Sequence, residues 1–239
     1  MFAGPNGSGK STLIDEVKKD YYVGYFVNAD EIERELKSTK FLDLTEFTPK
    51  TIKNELWEEF FYRKKEIDSR INESFPQIKL KDNILTYDGN LDSYHCSIIA
   101  EFLRFYLLEN DITFSFETVM SHDSKVNFLK LAKEKGFKTY LYFICTQDYK
   151  INLQRILNRV KKGGHDVNPE KTIQRYYRSL ELLYDAFMQS DRAFIIDSSN
   201  ENREVIVEKD KSNVSILKEN VPEWISKYLL GKIEINQIE

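Results

Sequence analysis

Cysteine, glycine, proline and histidine are all scarce in this sequence, and long hydrophobic runs are absent. Its two cysteines, Cys96 and Cys145, lie far apart between apolar neighbours. That argues against a disulfide scaffold or a zinc site and fits a reducing cytoplasm. No apolar stretch approaches the roughly 20 residues that span a bilayer, so no transmembrane segment is expected. The opening Met1-Phe2-Ala3-Gly4 runs into glycines with no charged-then-apolar signal segment. His95 and His122 have no metal-ligand spacing to each other or to a cysteine. A strong excess of one charge is also missing: 35 Lys and Arg face 39 Asp and Glu, for a net charge of −4. This argues against a general nucleic-acid coat. What is present suits a folded core. Of 239 residues, 41% are hydrophobic and 13% aromatic, enough for one large domain or a domain carrying an insertion.

Hydrophobic periodicity predicts alternating strands and helices. Helices are expected at Lys10–Asp20, Asp30–Leu36, Thr48–Ser74, Ser97–Leu108, Asp123–Lys135, Asp148–Lys162 and Pro169–Gln189. Strands are expected at Tyr25–Val27, Asn83–Tyr87, Thr113–Phe116, Phe137–Cys145 and Ala193–Ile196. Arg203–Glu208 and Val214–Leu217 form a candidate hairpin, followed by a short helix carrying Trp224, Ile225 and Tyr228 and a polar tail from about Gly231. The alternation implies an α/β fold whose mostly parallel sheet is covered on both faces. Ligands in such folds sit beyond the C-terminal ends of strands.

Of the nine glycines, three fall at Gly4, Gly7 and Gly9, and two are adjacent at Gly163 and Gly164. Gly4-Pro5-Asn6-Gly7-Ser8-Gly9-Lys10-Ser11-Thr12 satisfies G-x-x-x-x-G-K-[ST]. Such glycines let successive N–H groups converge on phosphate oxygens ahead of a helix N-terminus. Lys10 would bridge the terminal phosphates and Ser11 would ligate Mg²⁺. Only three residues precede the loop, so its leading strand is either very short or begins upstream of this chain.

Three carboxylates follow expected strands. Asp30 is a candidate general base, with helix capping together with Glu33 as the alternative. Glu117 suits a substrate hydroxyl or a water on Mg²⁺, with a plain strand-end role as the alternative. Asp197 reads as a loop residue. The stretch 150–178 carries Lys150, Arg155, Arg159, Lys161, Lys162, Lys171, Arg175 and Arg178 against Asp166 and Glu170, a local charge of +6. Its two expected helices, joined through Gly163-Gly164, suit a lid closing over a triphosphate. A solvated basic face and a nucleic-acid groove are the other readings.

Together, Phe2 through Thr12, Val27-Asn28-Ala29-Asp30, Phe114-Ser115-Phe116-Glu117-Thr118 and Gly163-Gly164-His165-Asp166-Val167 resemble the zeta-toxin-like P-loop kinases. They look most like that superfamily's bacterial branch of predicted ATPases, as does Asp92-Ser93-Tyr94-His95 ahead of an apolar helix. The resemblance covers roughly residues 1–200. It implies a P-loop kinase-like three-layer sandwich with a parallel five-stranded core. It also implies an arginine-bearing lid, here at 150–178, whereas the helical insertion at 39–110 and the hairpin-plus-helix extension at 201–239 depart from the family pattern. It further implies ATP and Mg²⁺ as cofactors and phosphorylation of a UDP-N-acetyl amino sugar, which starves cell-wall synthesis. An antitoxin protein would be a partner. By motif, Lys10 and Ser11 match the nucleotide and Mg²⁺ residues, and Asp30 the general base. Glu117, with Thr118 beside it, matches the substrate-binding carboxylate, and Arg159 and Arg175 match the lid arginines. The expected function is γ-phosphoryl transfer to a small-molecule hydroxyl. A nucleotide-binding switch or ATPase without an acceptor, and a 5′-hydroxyl nucleic-acid kinase, are the alternatives.

Overall fold

The computed structural model describes residues 1–71, 77–163 and 167–238. Gly164, His165 and Asp166 of the expected hinge, and Ser74 at the end of an expected helix, lie outside the described residues. The chain divides into two compact units, 1–21 with 117–239, and 22–116. Among the described residues, no helix is long and apolar enough to cross a membrane.

The first unit is built on strands β1 (Phe2–Ala3), β7 (Tyr140–Cys145), β8 (Arg192–Asp197), β9 (Glu204–Asp210) and β10 (Asn213–Ile216). Two-residue β1 is held on both sides, in parallel with β7 at Phe2↔Tyr142 and with the end of β6 (Phe114–Thr118) at Phe2↔Glu117. The Tyr142 N–H also donates to the Met1 carbonyl at 2.9 Å. Beyond β8 the pairing turns antiparallel, with β9 and β10 forming the expected hairpin. Phe2, Tyr142 and Phe194 stack ring on ring across β1, β7 and β8, with centroids 4.9 Å apart at each step.

Helices α1 (Lys10–Asp20), α5 (Ser124–Glu134), α6 (Tyr149–Lys161), α7 (Pro169–Glu181) and α8 (Leu183–Gln189) complete this unit's main layers. α7 begins on Pro169, with Asn168 accepting the Lys171 N–H. The single helix expected over Pro169–Gln189 is interrupted at Leu182, whose φ of −86° and ψ of −4° tighten the turn. Leu180, Leu183 and Phe187 on either side are all buried. The polar tail expected from Gly231 is instead helical, Gly231–Ile238, and follows Glu223–Ile225 and a π-helical turn at Ser226–Leu230.

The second unit contains β2 (Tyr25–Val27), α2 (Ala29–Thr39), α3 (Asn54–Ile67), α4 (Ser93–Glu109) and the start of β6. A three-stranded antiparallel sheet, β3 (Phe41–Asp43), β5 (Ile84–Asp88) and β4 (Gln77–Lys81), accompanies the helices that were expected at 39–110. The helix expected from Thr48 starts only at Asn54, because the Asn83 side chain holds the chain before it. Its Oδ1 accepts the Ile52 N–H at 2.6 Å and its Nδ2 donates to the Lys50 carbonyl at 3.2 Å. Helix α4 opens on a reciprocal cap: Asp92 accepts the His95 N–H, and His95 Nδ1 accepts the Asp92 N–H. Trp57, Phe60 and Phe102 form this unit's aromatic centre, Trp57 meeting Phe102 edge-on at 5.2 Å.

Strand order in the larger sheet is β10-β9-β8-β7-β1-β6-β2. Its run β8-β7-β1-β6-β2 is the parallel five-stranded core expected from the resemblance.

Lys209 of β9 is buried, and its Nζ donates to the carbonyls of Phe187, Met188 and Ser190 at 2.7, 3.0 and 2.8 Å. Phe187 and Met188 lie in the last turn of α8 and Ser190 is its C-cap, where backbone carbonyls run out of helical donors. Lys209→Met, which keeps the length but strips the donors, is expected to cost about 1–3 kcal/mol. Urea denaturation measures it, and an unchanged midpoint contradicts the role.

Candidate phosphate-binding site

The loop between β1 and α1 takes its shape from residues that tolerate it. Gly4 has φ of 141°, and a Cβ there would lie 2.0 Å from the Ile144 carbonyl oxygen. Gly7 has φ of 77°, and a Cβ there would lie 2.6 Å from the Asn152 carbonyl oxygen on α6. Both positions exclude a side chain by conformation and by space. Helices α2, α4, α6 and α7 are capped by Asn28, Asp92, Asp148 and Asn168, whereas α1, like α3, α5 and α8, has no side-chain cap, and it starts on Gly9. Its first-turn amides, which have no partner within the helix, therefore face outward at the positive end of the dipole.

Lys10 is only 6% exposed; its Nζ donates to the Pro5 carbonyl at 3.0 Å and lies 3.7 Å from Glu117 Oε1. The Ser11 hydroxyl donates to Glu117 Oε2 at 3.2 Å. Glu117 thus joins the ammonium and the hydroxyl of the motif, at the end of the strand beside β1. The adjacent Thr118 hydroxyl accepts the Met120 N–H at 3.0 Å, closing a tight turn.

Two side chains outside the motif grip this loop. Asn152 of α6 is fully buried and its Nδ2 donates to the Asn6 carbonyl at 2.7 Å. The Thr146 hydroxyl donates to Asn152 Oδ1, and the buried Tyr176 hydroxyl of α7 donates to the Thr146 carbonyl at 2.6 Å. Ser198, just past β8, donates from its hydroxyl to the Ser8 carbonyl at 2.7 Å. Arg155 braces Ser198, donating from Nη2 to its carbonyl at 2.6 Å and from Nη1 to its hydroxyl at 3.3 Å. Neither Asn152 nor Ser198 was a candidate from sequence, because both act on backbone carbonyls remote along the chain. Their only sequence signal is a place shortly after a strong strand.

The remaining expected residues occupy three settings. Arg159, exposed on α6, joins Arg155, Asn158 and Lys162 around a shallow concavity of about 370 Å³. Arg175 is half-exposed on α7 and Arg178 exposed. Asp30 belongs to the second unit, exposed in the first turn of α2. The capping alternative for Asp30 does not hold, since Asn28 is the cap and accepts the Asp30 N–H at 2.9 Å. Glu33 is buried and instead accepts from Lys37 one turn on. Asp197 is a buried structural anchor, accepting the Trp224 indole N–H at 2.9 Å and the Ser199 N–H at 3.1 Å.

Burial pushes the Cys96 thiol up to about 12 and the Cys145 thiol higher still, so both stay protonated core residues at neutral pH. Among the described residues, no group of three or more His, Cys, Asp or Glu is placed to hold a metal. The Ser11–Glu117 pair is nonetheless the oxygen set that suits Mg²⁺, which completes its shell with water and phosphate. The glycine cradle, the uncapped helix start and Lys10 likewise fit a nucleotide's phosphates.

The architecture is that of a P-loop kinase-like sandwich. One solved structure with this fold is the crystal structure of AvrRxo1-ORF1:AvrRxo1-ORF2 with sulphate ions. A chain of it superposes with a TM-score of 0.50 at 15% identity, over 91% of this chain and 60% of that one. An uncharacterised protein of Haemophilus influenzae (strain Rd) is 37% identical over 71 residues, 30% of this chain and 51% of that protein. The chain therefore matches about half of that relative's length and 60% of the solved one's. No family model matches the sequence.

Replacing Gly7 with alanine forces a Cβ against the α6 backbone in a left-handed conformation. Gly7→Ala is expected to lose at least about 1–3 kcal/mol of stability, read by thermal or urea unfolding. A parent-like unfolding curve contradicts the close approach of loop and helix.

Proposed function

We propose that the protein is a Mg-ATP-dependent phosphotransferase that acts on a hydroxyl of a small molecule. The observation that carries this reading is Lys10, Ser11 and Glu117 gathered at the mouth of an uncapped, glycine-shaped helix start. Bound Mg-ATP would supply the γ-phosphoryl group and the metal's charge. Lys10 and the loop amides hold the negative phosphates, and Ser11 and Glu117 offer oxygens to the metal side. This gives Glu117 the Mg²⁺-water role in preference to the acceptor-binding one, because its two oxygens already face Lys10 and Ser11.

Asp30 is the carboxylate this reading assigns to the acceptor's proton. Arg159 and Arg175 are assigned to the charge that develops on the moving phosphoryl group. Arg155, committed to Ser198, is assigned a bracing role. A UDP-amino sugar is the acceptor implied by the zeta-toxin resemblance; that family pattern would put both Glu117 and Thr118 on its side, of which this reading keeps Thr118. The solved relative was crystallised as an ORF1:ORF2 pair with sulphate ions. A protein partner, an antitoxin in the zeta-toxin pattern, belongs to the same proposal.

An ADP-release screen with Mg-ATP across UDP-sugars, sugars, nucleosides and oligonucleotides, with Lys10→Ala as the blank, tests this reading. Acceptor-dependent turnover that Lys10→Ala abolishes is the expected result. Slow hydrolysis indifferent to every acceptor marks a nucleotide switch instead, and turnover confined to oligonucleotides marks a nucleic-acid kinase. Asp30→Asn is expected to lower kcat by about 100- to 10,000-fold while ATP affinity is retained. Equal turnover in Asp30→Asn and the parent removes Asp30 from the base role.

A further inference from the structure

A trans peptide points its C=O and the next residue's N–H in opposite directions. Whatever holds a loop carbonyl therefore also aims the following amide. In this loop two carbonyls are held from behind. Asn152 donates to the Asn6 carbonyl at 2.7 Å, which turns the Gly7 N–H to the opposite side. Ser198 donates to the Ser8 carbonyl at 2.7 Å, which turns the Gly9 N–H likewise. Both holding groups are themselves oriented. The Thr146 hydroxyl has Asn152 Oδ1 as the nearer of its two acceptors, the Asp148 carbonyl lying at 3.0 Å, and so fixes which face of the Asn152 amide donates. Arg155 donates into the Ser198 oxygen, and the hydroxyl's one proton has the Ser8 carbonyl, at 2.7 Å, as the nearer of two acceptors, the Cys145 carbonyl lying at 3.2 Å.

We infer that Asn152 and Ser198 are positioning residues of the phosphate cradle: they aim the Gly7 and Gly9 amides at a bound polyphosphate without touching it. Glycine otherwise leaves these two peptide planes free to rotate, and an amide aimed away contributes nothing to anion binding. The same contacts make the first two turns of α6 part of the loop's rigid back wall. The inference rests on the nucleotide-binding reading above, and the experiment separates the two.

Calorimetric titration of the full chain with Mg-ATP and with inorganic tripolyphosphate, alongside unliganded thermal melts, is the test. The parent must bind, and Lys10→Ala must weaken it; failure there overturns the nucleotide reading itself. Given a binding parent, Asn152→Ala and Ser198→Val are each expected to raise both dissociation constants by about tenfold. Ser198→Thr, which retains the hydroxyl, should recover most of the loss. Asn152→Asp keeps the shape but sets an acceptor against the Asn6 carbonyl; it should weaken binding as much, and it replaces Asn152→Ala if that variant unfolds. Parent-like affinity in Asn152→Asp or Ser198→Val, or equal weakening in Ser198→Thr and Ser198→Val, overturns the positioning role. A lower melting temperature with unchanged affinity likewise assigns both residues to stability alone.

Discussion

A loop that receives anions through its backbone must solve an orientation problem before a binding one. Each N–H shares a rigid plane with a carbonyl, so presenting amides on one side requires something to receive carbonyls on the other. Here the rear side is occupied by the Asn152 amide and the Ser198 hydroxyl, which donate to the carbonyls of Asn6 and Ser8. Glycine makes the bends possible, and these donors select one conformation from the many that glycine permits. The cradle is thus a product of the surrounding unit as much as of its own nine residues.

That dependence explains the arrangement of the first unit. Strand β1 is two residues long, yet pairing on both sides and the stacked rings of Phe2 and Tyr142 fix where the loop leaves the sheet. Strand β7 feeds Thr146 and then α6, which approaches the loop closely enough to forbid a side chain at Gly7. Strand β8 ends at Asp197 and Ser198, one anchored to Trp224 of the C-terminal helical segment and the other to the loop. The C-terminal segment therefore reaches the cradle's wall through two consecutive residues. The second unit has its own aromatic centre and antiparallel sheet, and carries Asp30 on α2.

Legibility in the sequence followed the range of the constraint. The glycine loop could be read because positive φ and a helix start are local demands that leave a local pattern. The parallel core strands could be read because β7 and β8 are continuous β-branched and aromatic runs. Asn152 and Ser198 were invisible because their partners lie 146 and 190 residues away. The late start of α3 was hidden for the same reason, since the Asn83 side chain that delays it lies 31 residues beyond Ile52. The β4–β5 hairpin did leave a sign: Asp82 and Asn83 both take positive φ, 51° and 63°, a conformation those residue types tolerate. Asp30 and Arg155 show the other limit, that a charged residue's position predicts little of its partner. Asp30 proved not to be a cap, and Arg155 proved to be a brace.

The central claim concerns which atoms meet an anion, so it is tested most directly by amide resonances of an isotope-labelled full-length chain titrated with Mg-ATP. The account predicts that the Gly7, Gly9, Lys10 and Ser11 amides shift first and furthest, in saturable fashion, and that Lys10→Ala suppresses the shifts. Saturable binding that leaves those four amides unmoved, with the changes gathered elsewhere, would contradict it.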